Sequence, residues 1–123
     1  MPKSTTEVIA RQMIQIKSEY WLSVIVENRI PGKPPWITAY AQLPWVFEAG
    51  LGTRDELCSE LHLTYLGPGK AEWNLVKGHA PGTWIGFDWM DREAPSHEEI
   101  LLQLRIACEV ISTRRKELGD AGA

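Results

Sequence analysis

The sequence lacks the features that mark several common classes of protein. No apolar run approaches the roughly 20 residues that a membrane-spanning helix requires. The first residues, MPKSTTEVIARQM, lack the apolar stretch of a secretion signal. Cysteine occurs only as Cys58 and Cys108, which match no metal-binding or redox spacing. Together these absences predict a cytoplasmic protein with reduced thiols.

The chain also has little net charge of either sign. The chain has 13 Lys and Arg against 16 Asp and Glu, a net charge of −3, which offers no basic surface for a nucleic-acid backbone. The dense basic run Arg114-Arg115-Lys116 falls in the last turn of a predicted helix, where cations complement the helix dipole. We therefore expect neither a nucleic acid nor a membrane as partner.

Known catalytic motifs are missing as well. The sequence contains no Gly-x-Ser-x-Gly elbow and no Gly-x-x-x-x-Gly-Lys phosphate loop. Zinc-site and helix-turn-helix spacings are also absent. We expect no bound cofactor, and we favour a binding protein over an enzyme.

Tryptophan is the residue present in excess. The 123 residues, 44% of them hydrophobic, suit one domain over 1–123, with an ordered part over 4–118 and a frayed tail over 119–123. Large aromatic side chains fill cores and also anchor interfaces. The six tryptophans are Trp21, Trp36, Trp45, Trp73, Trp84 and Trp89. Six are many for one small core, so we expect one or two of them at the surface.

Two helices are predicted, one near each end of the chain. Ser4–Glu7 fits a capping box, and apolar residues then recur at helical spacing, which predicts a helix over 5–18. Ser96–Glu99 fits a second capping box and begins a long helix that ends at Gly119. The apolar stripe of this second helix consists of Ile100, Leu101, Leu104, Cys108 and Ile111.

The middle of the chain reads as a run of strands. Segments rich in β-branched and aromatic residues predict strands over 21–27, 36–43, 60–66, 73–76 and 83–90. Another capping box, Thr53–Glu56, opens one helical turn between them. This order predicts an α+β fold, an antiparallel sheet of four to five strands with the N-terminal and the long C-terminal helix packed on it.

Acidic residues supply one hypothesis about a site. Glu60 and His62 would share one face of a predicted strand, and Asp88 and Asp91 follow another. If these strands pair, the four side chains converge as ligands for a hard divalent cation, or one carboxylate acts as a general base. A small metal-dependent hydrolase is therefore an alternative function. Solvated or capping carboxylates are the simpler interpretation.

Surface aromatics supply the leading hypothesis. Trp36, Trp45 and Trp89 would anchor a protein partner, with Asp91 in a surrounding ring of carboxylates. The protein would then be a non-catalytic binding protein. A small-ligand pocket between sheet and helix, lined by Trp and Tyr, stays open as an alternative, as does a homo-oligomer.

Two short motifs resemble a family of small phage and plasmid proteins. Leu63-Thr64-Tyr65 and Trp84-Ile85-Gly86-Phe87-Asp88 are similar to its "HGGLTY" and "WWFGFDCAHAGD" strands, and the stretch over 37–44 is similar to its "GYVGVP" strand. The resemblance covers about residues 36 to 111. It implies a mobile-element protein of unknown activity, and such genes often encode small accessory or anti-defence proteins. The binding-protein hypothesis extends to an inhibitor of a host enzyme or defence complex.

The departures from that family lie at its histidine positions. Glu60 stands where the family has its first His, and Leu61 and His62 replace its two glycines. Trp89 and Asp91 replace its Cys and its second His. A histidine-based site of the family is therefore not carried over intact.

Overall fold

A five-stranded antiparallel sheet forms the centre of the protein. The computed structural model describes residues 4–70, 73 and 82–121. The strands are ordered β1-β2-β3-β5-β4 across the sheet. The predicted α+β class, with a long C-terminal helix on an antiparallel sheet, is confirmed. The elements are β1 (Thr5–Ile16), β2 (Glu19–Arg29), β3 (Trp36–Gln42), a 3-10 turn (Ala49–Leu51), α1 (Arg54–Leu61), β4 (Tyr65–Pro68), β5 (Thr83–Asp88) and α2 (His97–Ala121).

The first element is a strand, so the predicted N-terminal helix over 5–18 is wrong. β1 pairs with β2 from Thr5↔Arg29 to Ile16↔Glu19, with an irregularity in register between Val8 and Ala10. Ile14 and Ile16 are buried, and their spacing of two residues places both on one face of a strand. Pairing along the whole of β2 outweighs the local helical pattern, because tertiary packing overrides intrinsic propensity.

The tight turn after β1 requires an unusual backbone conformation. Lys17 has a φ of 55°, in the left-handed region that few residues other than glycine adopt. The chain reverses at this turn and runs directly into β2. β1 thereby becomes a long strand at one edge of the sheet.

The predicted strands over 21–27, 36–43 and 83–90 are confirmed as β2, β3 and β5. β3 pairs with β2 on one side and with β5 on the other. The predicted strand over 73–76 lies outside the described residues except for Trp73. The N–H of Trp73 donates to the Lys70 carbonyl at 3.0 Å in a turn.

The predicted strand over 60–66 is wrong in its first half. The capping box at Thr53 is present, with the Glu56 N–H donating to Thr53 Oγ1 and the Thr53 N–H donating to Glu56 Oε2. Helix α1 continues from it to Leu61, and His62 follows in the left-handed conformation as the C-cap. The extended chain of β4 begins only at Tyr65.

Helix α2 covers one face of the sheet. The Glu99 N–H donates to Ser96 Oγ at 3.3 Å, as the predicted capping box requires. The predicted apolar stripe is packed in the core, with Leu101 at its margin. The helix continues past the predicted end at Gly119 to Ala121, since a single glycine weakens a helix without stopping it. Neither described helix has the apolar length that a membrane crossing requires.

The packing of α2 predicts the reactivity of the two free thiols. Cys108 is 0% exposed, and burial raises the pKa of its thiol. We expect a thiol reagent to label Cys58 in the native protein and Cys108 only after unfolding. Labelling of the Cys58→Ser variant with and without denaturant, monitored by absorbance, checks this expectation. Rapid native labelling of that variant would contradict the packing of α2.

Candidate functional site

The second face of the sheet, opposite α2, holds the candidate site. The pairing registers place alternate residues of neighbouring strands side by side on this face, which we call the open face. Its side chains are mostly apolar or aromatic, in contrast to the polar outer face that an exposed antiparallel sheet usually presents. The open face includes the apolar and aromatic residues Val8, Met13, Tyr20, Leu22, Val24, Val26, Trp36, Tyr40, Tyr65 and Trp84, and the polar residues Thr6, Arg11, Gln15, Asn28, Thr38, Gln42 and Asp88.

Four aromatic side chains cover the part of the open face formed by β3, β5 and β4. Trp73 stacks on Tyr40 with ring centroids 4.0 Å apart, and its ring meets Trp84 edge-on at 5.2 Å. Tyr65 contacts both Tyr40 and Trp73 by its edge. Trp73 and Trp84 are buried, so this group, the aromatic layer, is a second small core.

Glycine makes the close packing of the aromatic layer possible. A Cβ atom on Gly86 would lie 2.4 Å from Tyr40 Cδ1 and 2.8 Å from the Ala39 carbonyl oxygen. A Cβ on Gly69 would lie 2.0 Å from Trp84 Nε1. The two rings occupy space that any larger residue would need.

A polar strip borders the aromatic layer. Asn28 Nδ2 donates to Thr38 Oγ1 at 3.0 Å and to the Trp36 carbonyl at 3.3 Å. Burial raises the pKa of the Tyr40 phenol; the hydrogen bond with Thr38 opposes this shift, and the nearby Tyr65 and Asp88 add to it. The hydrogen bonds of Asn28 satisfy these polar groups and link β2 to β3.

Within residues 4–70, 73 and 82–121, nothing covers the part of the open face around Met13 and Tyr20. Met13 lies directly across from Leu22, and Tyr20 lies across from Gln15 in the next row. Met13 is 56% and Tyr20 54% exposed, and Leu22 is half-buried between them. We call these three residues the open patch. The sequence pattern missed them because it predicted a helix at Met13.

Trp36 lies on the same face as the open patch but at the other end. It pairs with Asn28 of β2, six residues along that strand from Leu22, a distance of about 20 Å at the usual rise per residue. Its side chain is half-buried. Trp36 therefore remains a candidate anchor, as the sequence predicted.

The other predicted anchors differ in their surroundings. Trp89 is only 3% exposed and packs in the core under α2, so its predicted role as a surface anchor is wrong. Trp45 is half-buried; its Nε1 donates to Glu19 at 2.7 Å, and the Arg115 guanidinium lies 4.5 Å above its ring. These contacts tie Trp45 to α2. Asp91 is exposed in the turn after β5.

The structure does not assemble the predicted metal site. Glu60 lies on α1, where it forms an ion pair with Arg114, and His62 is the helix C-cap. They do not share a strand face, because α1 occupies that part of the chain. Asp88 accepts a hydrogen bond from the Met90 N–H at 3.2 Å. Across residues 4–70, 73 and 82–121, no three His, Cys, Asp or Glu side chains are grouped to hold a metal ion.

One groove is charged and lies away from the open face. Its volume is about 830 Å³, and it runs between the β1–β2 turn and the C-terminal half of α2. Its lining includes Lys17, Glu19, Arg105 and Lys116. A second groove of about 610 Å³ lies between the loop at Trp45 and β4. The predicted ligand pocket between sheet and helix, lined by Trp and Tyr, matches neither groove.

Comparisons of the chain with protein families, with curated proteins and with solved structures found no match. The resemblance to the phage and plasmid family therefore stays a prediction.

The close contact of Gly86 with Tyr40 yields a test of the aromatic layer. We expect Gly86→Ala to lower the free energy of unfolding by about 1–3 kcal/mol, since overpacking forces rings and backbone apart. Gly119→Ala is the control, because a Cβ there meets open space and alanine favours a helix. Denaturant titration measures both variants. An unchanged stability for Gly86→Ala would contradict the described packing.

Proposed function

We propose that the protein is a cytoplasmic, non-catalytic binding protein that docks a protein partner on the open face. The observation that carries this proposal is the exposure of Met13 and Tyr20 on a face whose β3, β5 and β4 part is already packed with aromatic side chains. Met and Tyr are among the residue types enriched in protein interfaces. Trp36 supplies a second contact on the same face.

The framework beneath the open patch is rigid, which favours binding. Val24 and Val26 are buried on the same face of β2, and β2 is paired with β1 along its length and with β3 from Leu22 to Asn28. An anchor held on a paired central strand loses little conformational freedom when a partner binds. Leu22 meets this condition, whereas Tyr20 precedes the part of β2 that pairs with β3.

The kind of partner is suggested by the resemblance to phage and plasmid proteins. We extend the proposal to an inhibitor that occupies the surface of a host enzyme or defence complex. Such an inhibitor needs an exposed apolar surface and no catalytic group. The open patch supports the first of these requirements.

The proposal predicts that partner capture depends on the open face. Met13→Ser with Tyr20→Ser, and separately Trp36→Ala, are expected to weaken capture of the partner at least about tenfold, as loss of an interface hot spot does. Val46→Ser is the matched control, since Val46 is 86% exposed in the loop after β3. Affinity capture from bacterial lysate, quantified by mass spectrometry, compares the variants with the native chain.

Proteins retained by the native chain and by Val46→Ser, but lost with the open-face variants, support the proposal. Retention of the same proteins by every variant would refute it, as would a native chain that retains none.

A further inference from the structure

The two edges of the sheet differ in how they are protected from further pairing. β4 forms one edge; it has only four residues, and Pro68 is one of them. Short length and proline are two features that keep an edge strand from adding another strand. β1 forms the other edge and is 12 residues long. Within the part of the chain that the structure describes, no strand lies beyond β1.

Only the part of β1 before residue 12 carries protection of this kind. It contains both charged residues of the strand, Glu7 and Arg11, and the irregularity in register. Charges and bulges both oppose pairing at an edge. Residues 12–16 contain no charge, proline or glycine. Their edge is accessible, since Gln12, Met13 and Gln15 are exposed.

Alternate residues form the outer side of this part of β1. In an antiparallel ladder each residue directs its N–H and its C=O to the same side, and successive residues alternate. The Gln12 carbonyl points toward β2, because it accepts a hydrogen bond from Ser23 Oγ at 2.6 Å. The same alternation follows from the two-residue turn between β1 and β2, whose closing pair is hydrogen-bonded. Arg11, Met13 and Gln15 therefore direct their backbone groups away from β2.

We propose that β1 pairs antiparallel with β1 of a second copy of this chain, about a two-fold axis at Met13. In this register Met13 lies across from Met13 of the other copy, and Gln15 lies across from Arg11. These positions direct their backbone groups toward the other copy, so the hydrogen-bond pattern of the sheet continues across the axis. The two sheets form one continuous sheet.

The register about Met13 is selected by the strand itself. It pairs residues 10–16 of one copy with residues 10–16 of the other and excludes the irregularity between Val8 and Ala10. An axis at either neighbouring residue shortens the paired part, because the pairing then reaches the irregularity or the turn. A second copy thus supplies a strand of matching length and hydrogen-bond phase, with its open face on the same side of the sheet.

The charged residues of β1 and its turn meet no like charge in this arrangement. They are Glu7, Arg11 and Lys17. Arg11 lies across from the neutral Gln15 of the other copy. Lys17 lies across from Ile9, and Glu7 lies beyond the paired residues. The pairing therefore carries no repulsive contact along the strand.

Helix α2 leaves room for the second copy. It contacts β1, β2 and β3, so it is centred over β2. The two helices of a dimer lie three strand spacings apart, about 14 Å, which exceeds the roughly 10–12 Å diameter of a helix with its side chains. The charged residues of α2 that line the groove beside the β1–β2 turn are of both signs: Arg105, Glu109, Arg115, Lys116 and Glu117.

The pairing joins the open patches of the two copies. The Met13 side chain projects from the open face and not into the edge, so it stays accessible in the dimer. The two Met13 Cα atoms lie about 5.5 Å apart, and Leu22 of each copy continues the apolar row on either side. A protein partner then meets one surface of twice the size. This consequence rests on the proposed binding function, whereas the pairing of β1 does not.

Charge at the axis tests the pairing, because one substitution places two like charges side by side. The short paired segments bury less than the roughly 1,200–2,000 Å² of a standard interface, so we expect the native dimer to dissociate in the micromolar range. Met13→Lys alone and Met13→Glu alone are expected to raise the dissociation constant at least about tenfold. An equal mixture of the two variants restores dimerisation, since opposite charges then meet.

Tyr20→Lys is the matched control for charge at the axis. Tyr20 is exposed to a similar extent on the same face, but it lies on β2, away from the axis. Its substitution leaves the pairing of β1 intact, whereas it would disrupt a dimer made by stacking two open faces. Analytical ultracentrifugation over a range of concentrations measures the native chain, the variants and the mixture.

Cysteine pairing locates the axis, in a Cys58→Ser background. Met13→Cys is expected to link two copies on oxidation, because a Cα separation of about 5.5 Å suits a disulfide. Tyr20→Cys is not, since two copies of residue 20 lie about 20 Å apart. Circular dichroism verifies that each variant is folded.

The proposal is supported by concentration-dependent dimers that Met13→Lys weakens, Tyr20→Lys preserves and the mixture restores. A monomer at every concentration would overturn it, as would a mixture that fails to dimerise or equal cross-linking of Tyr20→Cys. All of these measurements use the chain without a partner. Their failure therefore leaves the proposed binding function to its own test, the capture experiment.

Discussion

The need to bury β2 from both sides determines the rest of this structure. Trp21 and Ile25 point toward α2, whereas Val24 and Val26 point toward the open face, and all four are buried. A strand that is apolar on both faces is stable only inside a sheet that is covered twice. Helix α2 covers one face, and the aromatic layer covers part of the other. The exposed open patch is the part of the second face that the described residues leave uncovered.

The central elements could be predicted because their sequence signals are local. The β-branched and aromatic run of β2 and the capped amphipathic pattern of α2 each indicate one structure. The N-terminal segment gives two signals: Val8, Ile9, Met13 and Ile16 fit a helix, while Ile14 with Ile16 fits a strand. Pairing with β2 decides between them, and pairing is a tertiary interaction that a local pattern does not contain.

The candidate site was less predictable than the fold. Trp36 is half-buried on the open face and stays a predicted anchor, but Trp89 is buried because the chain passes under α2 after β5. The sequence predicts a strand at Glu60 and His62, because the capping box indicates where α1 begins but not where it ends. The open patch depends on Met13 being in a strand, so it could not be predicted while residues 5–18 were expected to be a helix.

The central claim is that the second sheet face is closed over the aromatic layer and open over β1 and β2. Hydroxyl-radical footprinting of the native protein, read residue by residue by mass spectrometry, tests it most directly. The structure predicts fast modification of Met13 and Tyr20, which are more than half exposed, and slow modification of Trp73 and Trp84, which are buried. Protection of Met13 and Tyr20 together with rapid modification of Trp84 would contradict it.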